Sequence, residues 1–173
     1  SIMVATGRAA KEGILFRDAA SLELLREVQV LIVDKTGTLT EGKPQVTAFQ
    51  TFPPFHEVEV LKLIGSLESA SEHPLARAIY HFAREKGSSI LTVNDFKSIT
   101  GQGTFGIVAG QSVLVGNQRL MQENTVDISF AEEMAETMRK EAKTVMFVSI
   151  NSQLAALIGV SDPIKATTPA ALQ

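Results

Sequence analysis

An apolar run that stops abruptly at a carboxylate constrains this chain more than any other feature. Residues 28–33 are mostly valine, leucine and isoleucine, and Asp34 follows them directly. Short apolar runs rich in β-branched residues are typical of strands that are buried on both faces. In an open α/β sheet, ligands bind beyond the carboxyl ends of the strands. The run therefore predicts a buried strand that carries Asp34 at its tip, beside a ligand.

The residues after Asp34 are suited to handling phosphate. Lys35 offers a positive charge, and Gly37 lets the backbone turn tightly and approach a phosphate group. Thr36 and Thr38 offer hydroxyl groups. Phosphoryl transfer requires mainly positioning and charge neutralisation, and a carboxylate can act as its nucleophile. We therefore predict Asp34 as a phosphoryl acceptor. The alternative is a strand that ends in an Asx-type turn, with threonines that cap the next element.

The composition excludes several classes of function. A net charge of −3, without a cluster of lysine or arginine, argues against a nucleic-acid partner. The chain has no cysteine, which removes disulfides and thiolate metal sites. Soft metal ions are selected by sulfur ligands, so we expect this segment not to select such a metal. No apolar stretch approaches the roughly 20 residues of a membrane span.

Further motifs lie along the chain. Residues 71–76 read Ser-Glu-His-Pro-Leu-Ala, and residues 162–165 read Asp-Pro-Ile-Lys. Between them lie two glycine motifs, at residues 101–103 and 116–117. Together with Gly106, the first has the Gly-x-Gly-x-x-Gly spacing of a dinucleotide fingerprint. A strand-like stretch stands where a helix should begin, so we reject a dinucleotide site.

Structural interpretations of the same residues stay open at this point. The glycines could serve a turn that needs positive φ angles. His73 could simply pack at the start of a helix, and Asn117 could be the cap of a helix over residues 118–122.

Together these motifs resemble the heavy-metal-transporting P-type ATPases. Residues 34–40, Asp-Lys-Thr-Gly-Thr-Leu-Thr, are similar to the phosphorylation motif of that family, and residues 71–76 to its His-Pro motif. The two glycine motifs are similar to those of its nucleotide-binding domain. Residues 162–165 resemble the segment where the chain re-enters the phosphorylation domain. Glu72, with the opening residues 1–10, is most similar to the copper or silver exporters, and zinc or cadmium exporters are the alternative.

The resemblance implies a site for ATP and Mg²⁺. It implies that His73 contacts the adenine and that Glu72 accepts a hydrogen bond from the exocyclic amine. The magnesium ion would bridge the phosphate, Asp34 and the Thr36 backbone, and Thr38 would help to hold the phosphoryl group. Lys35 completes the implied catalytic group. The further nucleotide-binding residues implied are Gly101, Gly103, Gly116, Asn117 and Asp162.

The resemblance also implies the fold class. We expect an α/β fold with a partial Rossmann-like phosphorylation domain of the haloacid-dehalogenase type. An inserted α+β nucleotide-binding domain, with an antiparallel sheet flanked by helices, should span residues 44–160. Residues 1–43 and 161–173 should belong to the phosphorylation domain. Within the insert, the patterns predict strands at 46–52, 90–99, 104–109, 112–115, 144–150 and 153–160. They predict helices at 19–27, 57–69, 71–86 and 128–143, and a last helix from residue 162.

Localisation and partners are implied by the same resemblance. The chain should be a cytoplasmic portion of an integral protein of the cell membrane, working with transmembrane and actuator domains. Cu⁺ or Ag⁺ would bind elsewhere in that protein. A further magnesium carboxylate of the family should lie beyond residue 173, so we expect nucleotide binding without full turnover.

Two alternatives come from other classes of function. A soluble haloacid-dehalogenase-type phosphatase usually carries a second Asp two positions after the nucleophile, where this chain has Thr36. A non-catalytic module that reuses the fold is the other.

Overall fold

The first of two compact units covers residues 1–34, and its described part includes two helices. The computed structural model describes residues 2–24 and 27–172 of the chain. Helix α1 spans Ile2–Lys11 and helix α2 spans Ala19–Leu24. Asp18 begins α2, because its carboxylate accepts a hydrogen bond of 2.7 Å from the Ser21 amide. The same hydrogen bond lowers the pKa of Asp18. The helix predicted at 19–27 is thus confirmed as far as residue 24, and residues 25–26 lie outside the described part.

The strand predicted at residues 28–33 is not formed. Residues 28–34 have no regular secondary structure, and Leu31 and Ile32 are 77% and 94% exposed. A strand is stable only beside a neighbour that satisfies its backbone N–H and C=O groups. The described residues of this unit, 2–24 and 27–34, contain no second strand to act as that neighbour. The prediction that Asp34 ends a buried strand is therefore wrong for the chain as it folds here.

A six-stranded antiparallel sheet forms the centre of the second unit, residues 35–173. Its strands are β1 (Gln45–Thr51), β2 (Val93–Ile99), β3 (Gly103–Val108), β4 (Gln111–Gly116), β5 (Thr144–Ile150) and β6 (Gln153–Ser161). They lie in the order β1-β6-β5-β4-β3-β2. Each of the six matches a strand predicted from sequence to within a few residues.

Two tight hairpins fix the register of this sheet. Ala109 and Gly110 join β3 to β4, and Asn151 and Ser152 join β5 to β6. Both residues of each loop have positive φ. This is the type I′ geometry, whose twist matches that of the flanking strands. The first hairpin therefore aligns β3 with β4 along their lengths, and the second starts the pairing of β5 with β6, whose register shifts once between Val148 and Ser149.

Helices cover both faces of the sheet. Helices α3 (Glu57–Glu68) and α4 (Pro74–Glu85) pack on one face. Helix α5 (Gln118–Glu123), a 3₁₀ turn at Ser129–Ala131 and helix α6 (Glu132–Lys140) pack on the other. Neighbouring side chains of one strand enter opposite cores, as Phe147 and Val148 do on β5. The predicted α+β fold, with an antiparallel sheet flanked by helices, is confirmed, and the bounds predicted for the insert, residues 44–160, stay a prediction.

The helix predicted from residue 162 is much shorter than expected. Among the described residues 162–172, only Thr168–Ala171 is helical, as α7. Asp162 precedes Pro163, and the residue before a proline is disfavoured in the helical region. Residues 162–165 instead run beside the loop at 35–40, where Thr40 and Ile164 form an antiparallel bridge.

Gly65 lets α3 and α4 approach each other closely. A Cβ atom on Gly65 would lie 2.6 Å from the Cβ of Ala83. We predict that Gly65→Ala lowers the free energy of unfolding by about 1–3 kcal/mol, although alanine is the better helix former. Urea denaturation followed by circular dichroism measures this. The double variant Gly65→Ala/Ala83→Gly should lose less than the sum of the two single variants. An unchanged or raised stability of Gly65→Ala would contradict the packing described here.

Candidate functional site

A cavity of about 530 Å³ opens between the α3–α4 connection and the sheet. Its wall combines the end of α3, the start of α4, the turn from β2 to β3 and the start of β5. The volume lies in the range of small-molecule sites in proteins. The residues that line it include Glu68, Ser71, His73, Leu75, Ile99, Gly101, Gly103, Thr104, Asn117 and Val145. The structure thus brings His73, Gly101, Gly103 and Asn117 together, as the sequence predicted.

His73 is both a helix cap and part of the cavity wall. It precedes Pro74, the first residue of α4, and its Nδ1 accepts a hydrogen bond of 3.2 Å from the Leu75 amide. Proline suits this position because the first helical N–H has no partner within the helix. The cap uses Nδ1, so Nε2 and the exposed face of the ring remain for a ligand.

Gly103 and Gly116 are needed where β3 meets β4, since they lie directly opposite each other in the sheet. A Cβ on Gly103 would lie 2.1 Å from the Val115 carbonyl oxygen. One on Gly116 would lie 2.4 Å from the Gln102 carbonyl oxygen. Gly116 is buried behind the wall and does not line the cavity. Its requirement for glycine is therefore one of backbone packing.

Gly101 needs glycine for a different reason. Its φ is +70°, and a Cβ there would meet no atom within 4 Å. The position lies in the left-handed region, where side chains are strained and glycine is not. Gly101 therefore presents bare backbone to the cavity in a turn that other residues adopt with difficulty.

Asn117 ties that turn to the rest of the domain. Its side-chain amide donates a hydrogen bond of 2.9 Å to the Gly101 carbonyl, and its backbone amide donates one of 2.9 Å to that of Gln102. Its Oδ1 accepts from the Leu120 amide at 3.0 Å, which caps α5. The helix-cap interpretation is thus correct, and the same side chain also holds the wall of the cavity.

Glu68 is the functional candidate that the sequence patterns did not reveal. It is 1% exposed, and its Oε1 accepts a hydrogen bond of 3.0 Å from the Thr104 hydroxyl. Its Oε2 has no hydrogen-bond partner in the part of the chain that the structure describes. Burial raises the pKa of Glu68 to about 7 against the opposing effect of the Thr104 hydrogen bond. A buried carboxylate oxygen without a partner, in a cavity wall, can bind a ligand that brings a hydrogen-bond donor.

Glu72 lies apart from this arrangement. Its side chain is exposed and does not line the cavity. Because Glu72 is not part of the cavity wall, the adenine-binding role predicted for it stays a prediction.

The sequence did contain a signal that Glu68 is buried, because Glu68 falls four residues after Ile64 on the buried face of α3.

The loop after Asp34 is a tight turn with an identifiable type. Thr36 has φ −76° and ψ 121°, and Gly37 has φ +77° and ψ −13°. These angles are those of the two central residues of a type II turn, and the second of them requires positive φ. The turn explains the glycine of the motif. Lys35, Thr36 and Thr38 are exposed around it.

The buried Thr40 closes this loop from the inside. Its hydroxyl accepts a hydrogen bond of 3.1 Å from the Gly37 amide and contacts a carboxylate oxygen of Asp162. The other oxygen of Asp162 accepts from the Lys43 amide at 3.1 Å. Asp162 was predicted as a nucleotide-binding residue, but it does not line the cavity and instead joins the two segments that connect to the sheet.

The predicted magnesium site has little support from neighbouring carboxylates. Within residues 2–24 and 27–172, no group of three His, Asp or Glu side chains could hold a metal ion. The Asp34 carboxylate and the Thr36 carbonyl are oxygen ligands of the type that Mg²⁺ prefers. Asp34 is exposed in the first unit, and its role stays a prediction.

Comparisons with known proteins support the family resemblance that the motifs indicate. Haloacid dehalogenase-like hydrolases match residues 28–173 of the chain. The chain belongs to this family. The match confirms the predicted haloacid-dehalogenase type, even though its first strand is not formed here.

Relatives of this haloacid dehalogenase-like chain include metal-transporting P-type ATPases. It is 44% identical over its whole length to a silver exporting P-type ATPase of Salmonella typhimurium. It is 47% identical, again over its whole length, to a copper-transporting P-type ATPase of Rhizobium leguminosarum bv. viciae. The chain spans 21% of the length of each. The resemblance to copper- or silver-type P-type ATPases is confirmed.

Solved structures give the same result. A zinc-transporting PIB-type ATPase in the E2.Pi state superposes with a TM-score of 0.86 at 30% identity, over 98% of this chain and 27% of that one. The catalytic domain of the CPx-ATPase CopB-B, described with conformational changes upon nucleotide binding, superposes with a TM-score of 0.71 at 27% identity. That match covers 97% of this chain and 58% of the other. Among the described residues of this chain, no helix has the length and apolarity to cross a membrane.

The raised pKa of Glu68 predicts a pH-dependent stability. Glu68 keeps its proton in the folded state up to about pH 7, whereas in the unfolded state it loses it near its ordinary value of 4.5. The folded state therefore binds more protons between these values, and stability falls as the pH rises through this window. We predict a loss of about 2–3 kcal/mol in the free energy of unfolding from about pH 5 to about pH 8. Urea titrations at each pH measure it.

Glu68→Gln should remove this loss, because an amide does not titrate. Glu72→Gln is the matched control, since Glu72 is exposed on the connection after α3. Equal pH dependence in the wild type and Glu68→Gln would contradict the assignment.

Proposed function

We propose that this chain is the ATP-binding and phosphoryl-acceptor portion of a copper-exporting P-type ATPase, on the cytoplasmic side of the membrane. The observation that carries the proposal is the cavity, whose wall joins an imidazole, bare glycine backbone and a carboxylate oxygen that has no partner among the described residues. The intact motif at residues 34–40 and the identity with transporting ATPases over the whole chain support the second half of the proposal.

The cavity suits the adenine of a nucleotide. Ile99 and Val145 supply apolar surface for a flat base, and the turn at Gly101 lets the base approach the backbone closely. The exocyclic amine of adenine is a donor that would satisfy the free Oε2 of Glu68. Above about pH 7, where Glu68 is ionised, a purine with a carbonyl oxygen at that position would instead face the carboxylate with a second acceptor, so the site should favour adenine over guanine there.

Phosphoryl transfer would use the loop after the apolar run. A carboxylate oxygen of Asp34 forms a bond to the γ-phosphorus of ATP, the bond from phosphorus to the β,γ-bridging oxygen breaks, and ADP leaves. The charge of Lys35 and the groups of Thr36 and Thr38 would orient the phosphoryl group. Bound Mg²⁺, held by Asp34 and the Thr36 carbonyl, would neutralise charge on the phosphates.

A soluble phosphatase usually carries an aspartate at the position where this chain has Thr36, and this difference favours the pump over the phosphatase. Rapid hydrolysis of an aspartyl phosphate needs a general base to activate water. A threonine two residues after Asp34 cannot supply one, which favours a long-lived phosphoenzyme of the kind that a pump requires.

The transported ion would bind outside this chain, because the chain has no cysteine. Relatives named as silver and copper transporters favour Cu⁺ or Ag⁺. The zinc-transporting neighbour keeps zinc as the second candidate. Transmembrane and actuator domains are the implied partners.

His73→Asn tests the nucleotide site without disturbing the helix cap. Asparagine is a preferred N-cap residue, so α4 should keep its start while the imidazole is lost. We predict that the dissociation constant for ATP, measured by isothermal titration calorimetry, rises by about tenfold, which corresponds to about 1.4 kcal/mol. His81→Gln is the matched control, because His81 lies on the same helix but does not line the cavity.

Equal ATP affinity of the wild type and His73→Asn would contradict the role of His73. Failure of the folded wild type to bind millimolar ATP would remove the nucleotide site altogether.

The acceptor role of Asp34 requires the full-length protein that contains this chain. Incubation with γ-labelled ATP and Mg²⁺ should give a phosphoenzyme that hydroxylamine cleaves, as it does acyl phosphates. Asp34→Asn should abolish the label and leave ATP binding intact. Stimulation by Cu⁺ rather than Zn²⁺ would support the copper assignment. Undiminished labelling of Asp34→Asn would refute Asp34 as the acceptor.

A further inference from the structure

Lys165 contacts the acceptor loop, residues 35–40, at two points. Its Nζ donates a hydrogen bond of 2.9 Å to the Gly37 carbonyl, and its backbone amide donates one of 3.0 Å to the Leu39 carbonyl. Lys165 comes from the segment after β6, more than a hundred residues beyond the loop in sequence. A segment that is distant in sequence thus holds the acceptor loop through hydrogen bonds.

Hydrogen bonds hold Gly37 at both its amide and its carbonyl group. Its amide donates to the Thr40 hydroxyl, and its carbonyl accepts from Lys165. The Thr168 hydroxyl adds a hydrogen bond of 2.8 Å to the Leu39 carbonyl. Gly37 is the residue of the turn with positive φ, so these hydrogen bonds hold the turn at the residue that defines its type.

The hydrogen-bond partner of the Lys165 ammonium group is the Gly37 carbonyl. Its residue is half-buried, and among residues 2–24 and 27–172 no carboxylate forms a salt bridge with it. The nearest acidic residue in sequence, Asp162, is engaged by Thr40 and Lys43. A charged donor gives a stronger hydrogen bond to a carbonyl than a neutral donor does.

We infer that Lys165 is a positioning residue for phosphoryl transfer, which acts through the Gly37 carbonyl to hold the acceptor loop in its reactive geometry. The inference rests on the proposed function, because it assigns Lys165 a part in the reaction of Asp34. Lys165 contacts the backbone of the loop, and we assign it no direct contact with ATP. Its loss should therefore change the rate of phosphorylation and leave nucleotide affinity unchanged.

The test compares Lys165→Met with Lys165→Arg in the full-length protein. Methionine keeps the length of the side chain and removes the donor, whereas arginine keeps a charged donor. For Lys165→Met we expect the maximal rate of phosphoenzyme formation to fall about tenfold, the size expected for a partly exposed charged hydrogen bond. The ATP concentration that gives half the maximal rate should not change. Lys165→Arg should recover most of the rate, and Lys140→Met, at the exposed end of α6, should behave as the wild type.

A second measurement tests the contact independently of catalysis. In the isotope-labelled 173-residue chain, the ¹³C chemical shift of the Gly37 carbonyl should move in Lys165→Met and stay in place in Lys140→Met. Thermal unfolding of both variants shows whether the fold is kept.

The outcomes separate this inference from the proposed function. A wild type that forms no phosphoenzyme would overturn the proposed function, while the carbonyl shift would still report on the contact. A wild type that is phosphorylated at the same rate as Lys165→Met would overturn the inference alone. A changed ATP requirement at an unchanged maximal rate, or an equal loss in the methionine and arginine variants, would overturn it as well.

Discussion

The contact between the backbones of Gly103 and Gly116 is the constraint on which the site depends. There is no space for a Cβ atom on either residue, because each would collide with a carbonyl oxygen of the facing segment. Their close approach brings the turn before β3 against the end of β4, where Asn117 holds it with hydrogen bonds to Gly101 and Gln102. This places bare backbone in the wall of the cavity.

The sheet makes that contact rigid. Its strands are covered by helices on both faces, and side chains of β5 and β6 fill both cores. Because the sheet is closely packed on both faces, the fold tolerates a buried polar group in the cavity wall whose burial is unfavourable by itself. Glu68 is that group, since its buried carboxylate has one oxygen bound by Thr104 and one without a partner in the described part of the chain. A ligand that donates to the free oxygen would offset part of the cost of burial.

Most of the second unit could be predicted from local patterns. The strands and the two hairpins between residues 45 and 161 follow from alternation and from turn residues with positive φ. His73, Gly101, Gly103 and Asn117 were found by motif, and they do converge on one cavity. Glu68 was missed because an acidic residue at the end of an amphipathic helix is usually read as solvent-exposed. Its burial depends on the tertiary contact with Thr104.

The errors have non-local causes as well. The run before Asp34 has the composition of a strand, but a strand depends on its neighbours, and the described residues of the first unit supply none. The helix expected from residue 162 is displaced by Pro163 and by the antiparallel bridge between Thr40 and Ile164. Asp162 was assigned to the nucleotide by resemblance. Its contacts with Thr40 and Lys43 lie at the connection between the loop and the sheet, outside the cavity wall, and its nucleotide-binding role stays a prediction.

Binding of an adenine nucleotide in the cavity beside Glu68 and His73 is the step on which the proposed function rests. The most direct test is a titration of the ¹⁵N-labelled chain with ATP, followed by nuclear magnetic resonance. At about pH 8, where Glu68 is ionised, we expect the amide signals of residues 98–104 and 144–146 to shift with ATP and much less with GTP, while those of the exposed hairpin at Asn151 and Ser152 stay in place. A folded chain whose signals at residues 98–104 do not move at millimolar ATP, or move equally with both nucleotides, would contradict adenine binding in this cavity.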